Sequence, residues 1–100
     1  MRTLSAIANG YSDTLIERSA DVIMKERRKL VLVPREMPLS PIHLENMLKL
    51  ARLGVIILPP MPAFYNAPEK IDDIVDHVVA RILDQFKIEN ELTKRWSGVN

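Results

Sequence analysis

Two short runs of apolar residues, many of them β-branched, divide the chain at residues 30–33 and 55–58. Proline follows each run directly, and it ends a strand because it lacks the backbone N–H that a sheet needs. The apolar residues are continuous rather than alternating, which is typical of strands covered on both faces, as in parallel sheets. The pattern therefore predicts two buried parallel strands.

A helix is predicted between these two strands. Ser40 is a suitable N-cap, Pro41 suits the first helical position, and Gly54 is a suitable terminator. The apolar residues that recur at helical spacing between them are Leu44, Met47, Leu48 and Ala51. Strand, helix and strand in this order form a βαβ unit, whose crossover is expected to be right-handed.

The last predicted helix has the clearest periodicity in the chain. Its wide apolar stripe consists of Ile71, Ile74, Val75, Val78, Val79, Ile82, Leu83 and Phe86. Asp72 and Asp73 lie in its first turn, where the helix dipole favours negative charge. Residues 89–100 follow as a mainly polar tail.

Two further helices are predicted before the first strand, at about residues 3–8 and 13–27. The inward side chains of the second are expected to be Leu15, Ile16, Ala20 and Ile23. Two parallel strands have two open edges and too little surface to cover the apolar stripes of four helices. We therefore expect a folding unit that is incomplete without strands from another segment or from other chains.

Composition narrows the classes of function. The 100 residues, treated as one domain (1–100), carry 14 Lys and Arg against 13 Asp and Glu, far from the basic excess of nucleic-acid-binding domains. The absence of cysteine excludes disulfides and thiolate chemistry, and neither histidine has partners at metal-ligand spacing. No apolar run approaches the roughly 20 residues of a membrane helix, and no secretory signal is visible. We expect a cytoplasmic protein without nucleic-acid or membrane partners.

Candidate chemistry lies at the carboxyl ends of the two strands, where open α/β sheets bind ligands. Because both strands point the same way, loops 34–39 and 59–66 leave the same edge and bring Arg35, Glu36 and Tyr65 near one another. The planar fork of Arg35 suits phosphate or carboxylate, and its alternative is a structural ion pair with Glu36 or the tail. Tyr65 either donates to a phosphate, stacks on a ring, or covers the rim of the core.

The other ionisable residues also have two interpretations each. Glu36 is a proton donor or acceptor, or a solvated charge. On sequence alone, the favoured role of Arg81 is a surface ion pair with Asp84. Lys25 belongs to the basic run 25–29, which is favoured as a solvated helix end whose cations suit the dipole.

Four segments of the sequence, in order, resemble motifs of the UbiX-type flavin prenyltransferases, a family that includes small subunits of phenolic-acid decarboxylase systems. The segments are residues 33–39 (VPREMPL), 58–65 (LPPMPAFY), 71–75 (IDDIV) and 81–86 (RILDQF). The resemblance covers nearly the whole chain but only the C-terminal half of a family member. The first strand and the loop that cradles the flavin phosphate are expected to be missing. Of one segment that contacts the flavin in the family, only Arg2 and Thr3 are expected to remain.

The resemblance implies an α/β chain with a partial flavodoxin-like (Rossmann-like) three-layer fold, lacking its N-terminal half. It implies transfer of dimethylallyl from dimethylallyl phosphate to reduced FMN, without metal, giving prenylated FMN for a UbiD-type decarboxylase. Homo-oligomers with active sites at subunit contacts are also implied. The residues that would contact the flavin are Arg2, Thr3 and Arg35. Those that would surround the dimethylallyl phosphate are Lys25, Glu36, Tyr65 and Arg81, with Glu36 and Lys25 as catalytic groups.

Two alternatives stay open beside this prediction. The chain is a non-catalytic truncated remnant, or it is a subunit of an aromatic (phenolic) acid decarboxylase in which Arg35 binds the substrate carboxylate. We expect the isolated chain to be inactive, because the flavin phosphate site is missing.

Overall fold

The computed structural model describes residues 1–64 and 67–89. The chain forms two compact units, Met1–Pro59 and Pro60–Asn100. The elements of the first unit are α1 (Arg2–Ala8), α2 (Leu15–Lys25), β1 (Val31–Leu32), α3 (Pro41–Arg52) and β2 (Ile56–Ile57). The second unit contains α4 (Ile71–Gln85). Except for residue 89, the predicted polar tail lies outside the described residues.

The two strands pair in parallel, as predicted, although each is shorter than its apolar run. Val31 lies opposite Ile56 in the register. The backbone N–H of Ile56 donates to Leu30 at 3.0 Å, and that of Leu58 donates to Leu32 at 2.9 Å. This pairing fixes which loops leave the sheet at its carboxyl edge and which enter at its amino edge.

Helix α3 begins as its sequence predicts. The Ser40 hydroxyl accepts from the backbone N–H of His43 at 3.1 Å. In return, the Ser40 N–H donates to Nδ1 of His43 at 3.1 Å, so both residues satisfy backbone groups that the helix leaves free. Pro41 occupies the first helical position. This start also fixes the end of the loop that follows β1.

The C-terminus of α3 is a Schellman motif at Gly54, which has a φ of +94°. The Gly54 N–H donates to Ala51 at 3.1 Å, and the Val55 N–H donates to Leu50 at 3.1 Å. Val55 and the fully buried Leu50 both belong to the core, so the turn delivers the chain from α3 into β2.

The core of the first unit joins three helices to the start of β2. Its buried apolar residues are Leu4, Ile7, Ala8, Ala20, Leu50 and Val55. Helix α2 presents Ala20 to this core, and the small side chain lets the helix approach closely. Its N-cap, Thr14, accepts from the Glu17 N–H at 3.1 Å.

The predicted inner face of α2 is partly wrong. Ala20 is buried and Ile23 half-buried, as expected, but Leu15 is 80% exposed and Ile16 is 67% exposed. The inner face instead includes Glu17, which is buried because its carboxylate accepts from the Asp13 N–H at the helix start. Leu15 and Ile16 therefore lie on the exposed face of α2.

Apolar side chains are also left uncovered on the other long helices. In α4 the predicted stripe is divided, because Ile71 and Val75 are exposed while His77 and Ala80 are the buried positions. In α3, Leu44, Leu48 and Ala51 are exposed. These faces agree with the prediction that two strands cannot cover four helices. Among the described helices, none has the length and apolarity needed to cross a membrane.

We predict that Gly54→Ala lowers the free energy of unfolding by about 1–2 kcal/mol, the cost of a left-handed conformation for an L-residue. The added Cβ would meet nothing within 4 Å, so the loss comes from the backbone alone. Denaturant unfolding of the chain measures it. Gly54→Asn is the control, since asparagine tolerates this region better, and an equal or larger loss for asparagine would contradict the explanation.

Candidate functional site

The loop that follows β1 carries the candidate site. It begins at Val33 and Pro34, passes through Arg35 and Glu36, and ends at Ser40 in the cap of α3. Because the β1 pairing fixes one end and the helix cap fixes the other, Arg35 is held at the carboxyl edge of the sheet. This is the edge at which α/β sheets bind ligands.

A cleft of about 220 Å³ opens beside Arg35. It is lined by Met1, Thr3, Leu4, Ile7, Leu32, Val33, Pro34 and Arg35. One wall comes from the start of α1 and the other from the end of β1 and its loop. The cleft therefore brings together Thr3 and Arg35, two of the three residues predicted to contact a flavin.

The charge of Arg35 is not neutralised within the part of the chain that the structure describes. Arg35 is exposed and has no ion pair there, so the predicted alternative of a structural pair with Glu36 is not observed. Around it the cleft is apolar apart from Thr3. A guanidinium beside an apolar cleft can bind a planar or apolar ligand that carries an anionic group.

Glu36 and Arg2 adjoin the cleft in sequence without lining it. Both are exposed. Glu36 precedes a cis peptide bond between Met37 and Pro38. Their predicted roles, proton transfer for Glu36 and flavin contact for Arg2, stay predictions.

Lys25 does not line this cleft and lies before β1 in the chain. It ends α2, and the chain then passes the amino end of β1, whereas Arg35 follows the carboxyl end. Its ammonium lies 3.2 Å from Asp21, and its side chain is 72% exposed. A single copy of the chain therefore places Lys25 and Arg35 at opposite ends of β1.

Arg81 belongs to α4 in the second unit. Its guanidinium lies 3.4 Å from the carboxylate of Asp84, which is the surface pair expected from the sequence. Tyr65, the other residue predicted to bind substrate, lies outside the described residues. The substrate contacts predicted for both stay predictions.

The apolar wall that α1 provides was not predicted from the sequence. Leu4 and Ile7 are buried yet also line the cleft, and Met1 completes the same wall. The available signal was their spacing of three residues on one short helix. The rule that ligands bind beyond the carboxyl ends of strands does not point to a helix that precedes the sheet.

Known proteins resemble this chain over nearly its whole length. The family model described as Flavoprotein matches residues 1–83. A probable UbiX-like flavin prenyltransferase of Escherichia coli O157:H7 is 66% identical over 99% of this chain and 50% of its own length. The flavin prenyltransferase UbiX of Methanocaldococcus jannaschii is 61% identical over 99% of this chain and 54% of its own length.

Solved structures show the same fold. A dodecameric FMN-dependent UbiX-like decarboxylase from Escherichia coli O157:H7 has a TM-score of 0.94 at 66% identity, over 97% of this chain and 52% of that one. AnUbiX (PadA1), in complex with FMN and dimethylallyl pyrophosphate, has a TM-score of 0.94 at 52% identity, over 99% of this chain and 53% of that one. The predicted flavodoxin-like α/β class is confirmed.

The chain spans about half the length of the curated relatives that it matches. Over that span, the similarity includes α1, β1 and the loop that carries Arg35. The chain belongs to the Flavoprotein family, and its relatives there are flavin prenyltransferases of the UbiX type.

Proposed function

We propose that this chain supplies part of the active site of a flavin prenyltransferase, which transfers dimethylallyl from dimethylallyl phosphate to reduced FMN. The observation that carries the proposal is the cleft joining Thr3 to Arg35, whose charge has no partner among the described residues. The names of the relatives and the FMN held by AnUbiX support the same chemistry.

The residues of the cleft fit one side of a flavin. Leu4 and Ile7 offer an apolar surface to a planar ring, while Thr3 and Arg35 offer polar groups at its edge. At about 220 Å³ the cleft is smaller than the roughly 300–1,000 Å³ typical of small-ligand sites, so the remaining walls must come from elsewhere. When bound, reduced FMN supplies the electron-rich ring that accepts the dimethylallyl group.

The cations of the chain are assigned to the leaving phosphate. When the allylic C–O bond breaks, its electron pair moves onto a phosphate oxygen, and nearby positive charge stabilises the negative charge that develops. Arg35 and Arg81 donate to that group, with Tyr65 adding a hydrogen bond. Glu36 exchanges a proton with a phosphate oxygen. Among the described residues, no group of three His, Asp or Glu side chains is placed to hold a metal ion.

Lys25 reaches the same phosphate only from a second copy of the chain. Within one copy, Lys25 and Arg35 lie at opposite ends of β1. The exposed Leu15 and Val22 lie on α2 with Lys25 and give that helix apolar surface for a subunit contact. The dodecameric state of the Escherichia coli neighbour supports a homo-oligomer with sites at subunit contacts.

The product, prenylated FMN, is proposed to serve a UbiD-type decarboxylase in the cytoplasm. A second candidate is direct decarboxylation of an aromatic acid, since two structural neighbours are named decarboxylases and Arg35 suits a carboxylate. A third is a chain without activity of its own. Product analysis distinguishes all three.

The proposed activity can be tested in a hybrid in which this chain replaces the matching segment of the Escherichia coli O157:H7 relative. The hybrid should retain FMN and, with dimethylallyl phosphate and a reductant, yield a flavin heavier by one dimethylallyl group in mass spectrometry. The chain alone should yield none. Release of carbon dioxide from an aromatic acid, with no change in flavin mass, would favour the decarboxylase instead.

We predict that Arg35→Gln in this hybrid weakens FMN binding by about ten- to a hundredfold, because a hydrogen bond to a charged group contributes roughly 1.5–3 kcal/mol. Fluorescence titration with FMN measures the change. Arg52→Gln removes the same charge from the end of α3 and is the control. Equal affinities for the two variants would remove Arg35 from the flavin site.

Arg81 is proposed to bind the leaving phosphate rather than the flavin. Arg81→Met should lower the rate of prenyl transfer about 10²–10³-fold with FMN retention unchanged, because it removes charge from the developing phosphate. Asp84→Asn breaks the observed ion pair but keeps the guanidinium, so it should leave the rate within a fewfold. If both variants lose the same activity, Arg81 acts through its ion pair rather than on the phosphate.

A further inference from the structure

A second and larger cleft lies at the amino ends of the strands. Its volume is about 550 Å³, and it shares no lining residue with the cleft at Arg35. It is lined by Met24, Arg27, Arg28, Lys29, Leu30, Leu53, Gly54, Val55 and Ile56. The volume lies within the range of sites that bind small molecules. The proposed prenyl transfer uses none of these residues.

The cations of this cleft are positioned by the end of α2. Helix α2 ends at Lys25, and Arg27 then adopts a φ of +54°. The Arg27 N–H donates to Met24 and the Arg28 N–H donates to Ile23, each at 3.0 Å, which forms a Schellman motif. Glycine adopts this conformation without steric cost, yet the chain has arginine there. The turn fixes the backbone of Arg27 beside the cleft that its side chain lines.

Two of the cations at this rim, Arg27 and Arg28, are available for an anion. Arg27 and Arg28 are exposed, and neither has an ion pair with any residue of the described part of the chain. Lys29 adds a third cation to the same lining. The basic run was expected to be a solvated helix end. That description fits Lys25, which pairs with Asp21, whereas the next three cations line a cleft.

The apolar lining of the cleft, its floor, determines which group a ligand can carry beside its phosphate. All its apolar side chains are aliphatic or thioether, and no aromatic ring lines it, so it offers no surface for stacking a base or flavin. We propose that this cleft binds an aliphatic phosphate ester, with its phosphate on Arg27 and Arg28 and its alkyl chain against the apolar floor. The bidentate geometry of guanidinium suits a doubly charged phosphate.

Calorimetric titration of the 100-residue chain with octyl phosphate, below its micelle concentration, tests the proposal. Octyl phosphate should bind at least tenfold more tightly than inorganic phosphate, because only the ester reaches the apolar floor. Arg27→Gly should weaken its binding at least tenfold while raising the melting temperature, since glycine relieves the turn. Leu53→Ser, at a position that is 62% exposed, should weaken the binding of octyl phosphate but not the binding of inorganic phosphate.

Lys87→Gly is the matched control. Lys87 occupies the equivalent turn after α4, with a φ of +57°. The glycine variant should raise the melting temperature without changing the affinity for octyl phosphate. Equal affinity for the two phosphates, or loss of binding in Arg35→Gln but not in Arg27→Gly, would overturn the proposal. Binding to phosphatidic acid vesicles without binding to free octyl phosphate would also overturn it, because the ligand would then be a lipid surface.

Discussion

The parallel pairing of β1 with β2 is the constraint on which the rest of the structure depends. It sets both strands in one direction, so every residue that follows a strand lies at one edge and every residue that precedes a strand lies at the other. The cations are thereby placed at two different edges of the sheet. Arg35 is held at the carboxyl edge, and Arg27 to Lys29 are held at the amino edge, although fewer than ten residues separate the two groups.

Among the described residues, the charge of Arg35 has no ion-pair partner, which leaves it available to an anionic ligand. A guanidinium that pairs internally stabilises little at a surface and has less capacity to bind an anion. Here the loop is fixed by β1 before Arg35 and by the Ser40 cap after it, so the side chain is positioned by backbone structure rather than by an ion pair. In the proposed prenyl transfer, such preorganised charge would stabilise the departing phosphate in place of a divalent ion.

The uncovered helix faces support the proposal that one copy holds only part of the site. Leu15 on α2, Leu48 on α3 and Ile71 on α4 are exposed apolar side chains that two strands cannot bury. Exposed apolar surface of this kind marks interaction sites in soluble proteins. Lys25 and Arg35 lie at opposite ends of β1. If both bind the same phosphate, as proposed, they must come from two copies of the chain.

The sequence predicted every described element, because helix caps and terminators are local signals. Ser40 and Gly54 act through hydrogen bonds to residues within five positions, so the sequence contains all the information they need. The inner face of α2 was mispredicted because burial depends on what lies opposite, and Glu17 is buried by a contact with the helix start that no hydrophobic scale records.

The two clefts differ in how far the sequence predicted them. The Arg35 loop was predicted because the carboxyl edge of a parallel sheet is a general ligand site. The amino-edge cleft was missed because no comparable rule points there, and because the left-handed turn at Arg27 is not visible in its residue type.

The most direct test of this sorting of charge is amide chemical-shift mapping of the isotopically labelled chain during titration with inorganic phosphate. Two separate groups of amides should shift, one at residues 35 and 36 and one around residues 27–29. The two groups should have different affinities, and Arg35→Gln should remove only the first. A single diffuse response over the whole basic surface, or simultaneous loss of both groups in Arg35→Gln, would contradict the account.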